Sequence, residues 1–144
     1  MLIFKHILLA AATALSPSLY RTQCSALVAG NLPEYAATLA PSYRFVDLGG
    51  RVESRAQVLA TFANWFRTKA GSIERCRASA PSTSPSATSL SLPLHIVEDI
   101  SVAIPTEGVR RYRIDLHAIE RWRLLDGQWR AVESVVRKRS VTPL

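Results

Sequence analysis

Two cysteines and three histidines are all that this 144-residue chain offers to a soft or borderline metal. Cys24 and Cys76 stand too far apart for a metal-binding spacing, and the histidines are scattered along the chain, so the sequence predicts no metal and no cofactor. There is no glycine-rich phosphate loop, no nucleophile elbow and no internal repeat. No apolar run approaches the ~20 residues that span a bilayer. Lysine is scarce as well. Of 18 basic residues nearly all are arginine, set against 11 acidic ones for a net charge of +7. That surplus favours acidic partners without naming one. The basic positions that share a strand face, Arg111, Arg113, Arg121 and Arg123 with Arg130 nearby, lack interleaved aromatics, which argues against nucleic acid.

What is present is apolar patterning. Nearly half of the residues are hydrophobic, enough for one domain with a core of its own. The first 16 residues resemble a secretory leader, with Lys5 and His6 ahead of Ile7–Ala12 and an Ala12-Thr13-Ala14 cleavage site. The alternative is an extra helical segment packed on the domain, which otherwise spans 17–140. A cleaved leader implies a secreted or periplasmic protein and an uncleaved one a cytoplasmic protein. With a leader, a Cys24–Cys76 disulfide is permitted; the alternative, even then, is that both are buried packing residues.

Ser16-Pro17 reads as a helix start, with Tyr20, Cys24, Leu27, Val28 and Gln23 on the inward face and Gly30 as the stop. Asn31 caps a second short helix whose apolar side is Tyr35, Ala36 and Leu39, ending before Pro41. Tyr43–Val46 is a short strand, and Asp47-Leu48-Gly49-Gly50 a turn. Ser54 and Gln57 form a capping box for a third helix reaching about Lys69, with Val58, Leu59, Phe62, Trp65 and Phe66 as its stripe. Ser72–Ser79 is a strand. Ala80–Ser91 reads as a flexible loop, and Leu92–Ile104 as one strand or two, edge-placed or bulged at Pro93. From Val109 to Val136 the pattern predicts a long hairpin with Asp126-Gly127 at its tip. Its first arm sets Tyr112, Ile114, Leu116, Ala118, Trp122 and Leu124 on one face. Glu120 breaks that face. A carboxylate there pairs with an arginine across the sheet, meets a pocket, or stays protonated. Three helices followed by antiparallel strands give an α+β fold. His117 falls on the polar face as a solvated residue, and His95 in an apolar strand as a structural one.

Three segments resemble the SnoaL-like group of the nuclear-transport-factor-2-like superfamily, which includes ketosteroid isomerases. They are Ala29-Gly30-Asn31-Leu32, Phe45-Val46-Asp47-Leu48-Gly49-Gly50-Arg51, and Arg121–Arg130 around the hairpin tip. The resemblance implies a cone-shaped, bent antiparallel sheet wrapped by three helices around a deep apolar pocket, often as a homodimer through the outer sheet face. It implies Asp47 as the proton-shuttling carboxylate and Glu120 as a second acid donating to an oxyanion. Gln23 stands where those isomerases keep a tyrosine, and Tyr20 is one turn away, which counts against steroid isomerisation. A plainer reading of Asp47 is a turn residue bonded to its own backbone. The resulting expectation is a domain binding a small, mostly apolar molecule in a pocket lined by Tyr20, Gln23, Trp65, Glu120 and Trp122. The alternative is an acid/base enzyme on a carbonyl compound, with Asp47 as base and Glu120 as acid.

Overall fold

The computed structural model describes residues 15–81 and 88–144. The leader-like residues 1–14 and the centre of the Ala80–Ser91 loop lie outside the described residues. The elements are α1 (Leu15–Ala29), α2 (Leu32–Ala37), β1 (Leu39–Val46), β2 (Val52–Ser54), α3 (Arg55–Thr68), β3 (Gly71–Ser79), β4 (Ser89–Ile104), β5 (Gly108–Leu125) and β6 (Gln128–Pro143). One six-stranded sheet in the order β2-β1-β6-β5-β4-β3 joins them. The β1–β6 pairing is parallel and the others are antiparallel. Among the described residues no helix is long and apolar enough to cross a membrane.

Local chemistry sets most boundaries. Gly30 ends α1, its N–H returning to the Leu27 carbonyl at 3.2 Å while the Asn31 N–H reaches Ala26 at 2.8 Å, the two bonds of a Schellman cap. The Asn31 side chain then accepts from the Glu34 N–H to start α2. Ser54 and Gln57 form the reciprocal capping box of α3. At the β5–β6 tip, Asp126 (φ +49°) and Gly127 (φ +77°) both adopt left-handed backbone, as a tight hairpin turn demands.

The structure departs from the sequence pattern at three places and decides a fourth between its two alternatives. Leu39 belongs to β1 rather than α2, because the parallel ladder to β6 captures it opposite Ala131. Ser89–Ser91 are strand, not loop, paired with Arg123, Trp122 and Arg121. Of the two alternatives for Leu92–Ile104 the single strand holds, as the greater part of β4, which pairs along its whole length with β5. Pro93 fits there because β3 pairs with β4 only from Ser79 opposite His95 onward, so its missing N–H removes no bond on that side. Val28 is exposed.

The sheet bends. Register shifts fall between Ile73 and Arg75 on β3, and opposite His117/Ala118 and Arg121/Trp122 on β6. Such bulges sharpen twist and curve the ladder. The concave face holds the core, where Leu39, Leu92 and Trp122 are the largest fully buried side chains. α1 packs against β3, and α3 against β1, β2 and β3. Cys24 of α1 is disulfide-bonded to Cys76 of β3 across a sequence separation of 52, so the cysteines are bonded rather than free packing residues. At the start of β3 the Trp65 ring lies over Gly71, where an added β-carbon would sit 2.8 Å from it. Gly71→Ala is therefore expected to cost about 1–3 kcal/mol, read as a lower urea midpoint at unchanged slope; an unchanged midpoint would mean that the indole moves aside freely.

The outer face is charged and largely paired within the chain. Arg113 grips Asp99 with two hydrogen bonds of 2.8 and 3.1 Å. Arg121 and Arg44 share Glu133, and Arg111 meets Glu74.

Candidate ligand-binding site

Between the concave sheet face and the helices lies a cavity of about 260 Å³. Tyr43, Val58, Phe62, Ile96, Leu116 and Ala118 supply much of its apolar wall. For scale, an engineered dry cavity of roughly 150 Å³ accepts benzene. This one therefore suits a molecule of one or two rings.

Glu120 is its most unusual lining residue. The period of β5 aims it inward between Ala118 and Trp122, and it is 5% exposed. Among the described residues no arginine pairs with it; Arg139, which shares the cavity wall, is bonded to Asp47. The Tyr43 hydroxyl donates to Ser134 Oγ at 2.9 Å, and Ser134 in turn donates to Glu120 Oε2, a relay from β1 through β6 to β5. Oε1 is buried and has no hydrogen-bond partner in good geometry among the described residues, although the Tyr20 hydroxyl and the Trp122 indole lie near enough to favour the charged form. Burial pushes the carboxyl up to about 7, even though Ser134, Tyr20 and Trp122 pull the other way. Near neutral pH the group is thus shared between acid and carboxylate. Burial also raises the hydroxyls of Tyr20, Tyr35 and Tyr43, and the Glu120 charge adds to the rise, so all three stay protonated.

The other expected site residues lie elsewhere. Asp47 is not in the cavity wall. Its Oδ1 accepts from the Leu48 N–H at 2.9 Å and from Arg139 Nη1 at 2.9 Å, which is the turn-residue role with an ion pair added. Arg139 does line the cavity, so Asp47 stands behind it. Tyr20, Gln23, Trp65 and Trp122 are also absent from the wall. The Trp122 indole donates to the Tyr20 hydroxyl at 3.0 Å, with the rings edge to face. Gln23 donates to Thr38. Tyr20 and Trp122 are thus core partners beside Glu120, Gln23 ties α1 to the end of α2, and Trp65 covers Gly71.

Glu98 was missed by the sequence reading. It lines the cavity, and burial raises its carboxyl above the ordinary range. Its signal was available: Leu90, Leu92, Leu94, Ile96, Ile100 and Val102 alternate along β4, and Glu98 interrupts them as Glu120 interrupts β5. In register Glu98 faces Ile114 while Glu120 faces Leu92. Six strand residues, on the order of 20 Å along the ladder, separate the two carboxyl positions. They mark different parts of the cavity rather than one dyad.

No protein-family model matches the chain, and no curated protein matches it in sequence. Solved structures do match. A hexachlorocyclohexane dehydrochlorinase superposes with a TM-score of 0.71 at 14% identity, over 96% of this chain and 93% of that one. A ketosteroid isomerase-like protein from Erwinia carotovora atroseptica gives 0.64 at 11% identity, covering 85% and 92%. A nuclear-transport-factor-2-like protein from Cytophaga hutchinsonii gives 0.60 at 12%, covering 88% and 93%. At such identities the likeness speaks for the path of the backbone and not for the chemistry. With its bent six-stranded sheet closed by N-terminal helices, the chain has the nuclear-transport-factor-2-like fold.

Proposed function

We propose that this protein binds a small, mostly apolar molecule of one or two rings, with a carbonyl or hydroxyl oxygen of that molecule docked at Glu120. The observation that carries this reading is Glu120 itself, buried in an apolar wall with Oε1 lacking a well-aligned hydrogen-bond partner among the described residues. Leaving a buried acceptor unpaired costs about 1–3 kcal/mol, which a ligand hydroxyl would relieve. In its protonated form the same carboxyl donates to a carbonyl. The leader-like N-terminus and the Cys24–Cys76 bond support a place outside the reducing cytoplasm. The charged outer sheet face remains the expected surface for a homodimer.

An acid/base enzyme acting on a carbonyl compound is the second reading. A carboxyl at about 7 suits proton transfer near neutrality. Glu120 would serve as both donor and acceptor, since Asp47 is committed to Arg139. Enzymes such as the dehydrochlorinase share the fold, but the fold by itself assigns no reaction.

The two readings separate in one set of titrations. 2-Naphthol and naphthalene differ only by the oxygen, so tryptophan fluorescence should report naphthol binding more than about tenfold tighter, a gap of ~1.4 kcal/mol. Glu120→Leu should close that gap; equal affinities in the unaltered protein would sink the proposal. Deuterium uptake beside the carbonyl of 2-tetralone in heavy water, present in the unaltered protein and absent in Glu120→Gln, would favour the enzyme.

A further inference from the structure

The spacing of His95, Asp115 and His117 in sequence gives no metal motif, yet the β4–β5 register brings them together. His95 stands directly opposite His117 on the outer sheet face. Their imidazoles stack with centroids 4.2 Å apart and planes within 7°. Asp115 precedes His117 by two residues, so it shares that face and lies diagonal to His95. Its Oδ1 is 2.8 Å from His95 Nε2 and 3.5 Å from His117 Nε2. The three ligand atoms all lie within 4.8 Å of one another. This site is separate from the cavity, which opens on the opposite face.

We propose that His95, Asp115 and His117 form a binding site for a borderline divalent cation of the zinc type. Two imidazole nitrogens and one carboxylate oxygen are a donor set for zinc, with copper and nickel as competitors. Bonds of about 2.0–2.1 Å in a tetrahedron place ligand atoms roughly 3.3–3.4 Å apart. The two nitrogen–oxygen separations here bracket that value. Stacked rings aim their lone pairs in parallel, so the imidazoles must fan toward each other by side-chain rotation. Both are part-exposed and have room to do so. The β4–β5 ladder pairs without a break through His95 and His117 and holds their backbones side by side, so rotation of the side chains suffices.

The surroundings bear on affinity. Lys138 faces His117 from β6, Ser140 faces Asp115, and Ser79 faces His95 from β3. Arg137 lines the same shallow cleft as the two histidines. These positive neighbours oppose a dication, and Asp115 supplies the only carboxylate of the cluster. Three protein ligands leave a fourth position, open to solvent in a single chain and, in a homodimer through this face, within reach of the second copy.

The full chain, stripped with chelator, should take up one Zn2+ in isothermal titration. His95→Gln and His117→Gln should each weaken binding by more than about tenfold, since a lost ligand removes more than an outer-shell partner does. His6→Gln, which replaces the remaining histidine, should leave it unchanged. Imidazole nitrogen resonances of the unaltered protein read the same site without mutation, with those of His95 and His117 shifting on zinc and that of His6 staying in place. No uptake at millimolar Zn2+, uptake that survives both substitutions, or a shift confined to His6 would each overturn the proposal.

Discussion

The stability difference between Glu120→Gln and the unaltered chain should move in favour of the variant by about 3 kcal/mol as pH rises from 4.5 to above 7. The carboxyl ordinarily titrates near 4.5 and in the folded protein near 7. Between those values the folded chain keeps a proton that the unfolded chain has released. Its stabilising contribution is therefore complete below pH 4.5 and is lost as pH rises through 7. At ~1.36 kcal/mol for each pH unit between the two values, the loss sums to about 3 kcal/mol. Glutamine does not titrate, so the variant escapes the loss. Glu98, which burial also raises, is present in both proteins and cancels in the difference. Urea denaturation of both proteins from pH 4.5 to 8.5 measures the difference. A difference that stays flat with pH would show that Glu120 is already ionised throughout, and the docking role proposed for it would go with that result.

Replacing both cysteines by serine should cost about 4 kcal/mol, the larger of these two effects. The bond closes a loop with a sequence separation of 52, and constraining an unfolded chain over that length is worth about 4 kcal/mol on the chain-entropy account. The bond also pins α1 to β3, one turn beyond Tyr20 and beside Glu98, which Cys76 faces across the ladder. A total stability of roughly 5–15 kcal/mol makes this a large fraction of the whole. Denaturation midpoints with and without a reducing agent, set against the double variant, provide the measurement. Equal midpoints in all three states would mean that the crosslink contributes nothing to the folded chain.

These two effects sit at different distances from the sequence. Glu120 was legible because one strand's alternation exposes any intruder, and Glu98 follows from the same reasoning on β4. The capping box at Ser54, the Asn31 cap and the Asp126-Gly127 tip were legible because their causes lie within a few residues. The start of β1 was not, since Pro41 argued for a boundary and only the ladder to β6, far along the chain, extends the strand back to Leu39. Asp47 shows the same limit at the site. Nothing near it predicts Arg139, 92 residues away, which occupies its carboxylate. The expected pocket residues Tyr20, Gln23, Trp65 and Trp122 were rightly set inward, yet inward covers both core and cavity wall, and periodicity cannot separate the two.

By itself, then, the sequence determined the helices, the long hairpin, the α+β class and the buried acid on β5, all of which follow from local propensity and from which face of an element is apolar. The tertiary structure decided what each of those faces meets: Ser134 rather than arginine at Glu120, Cys76 at Cys24, Arg139 at Asp47, and His117 against His95. Such partners depend on strand register and sheet curvature. Those are settled by the sum of many contacts over the whole molecule, and no short stretch of residues records that sum.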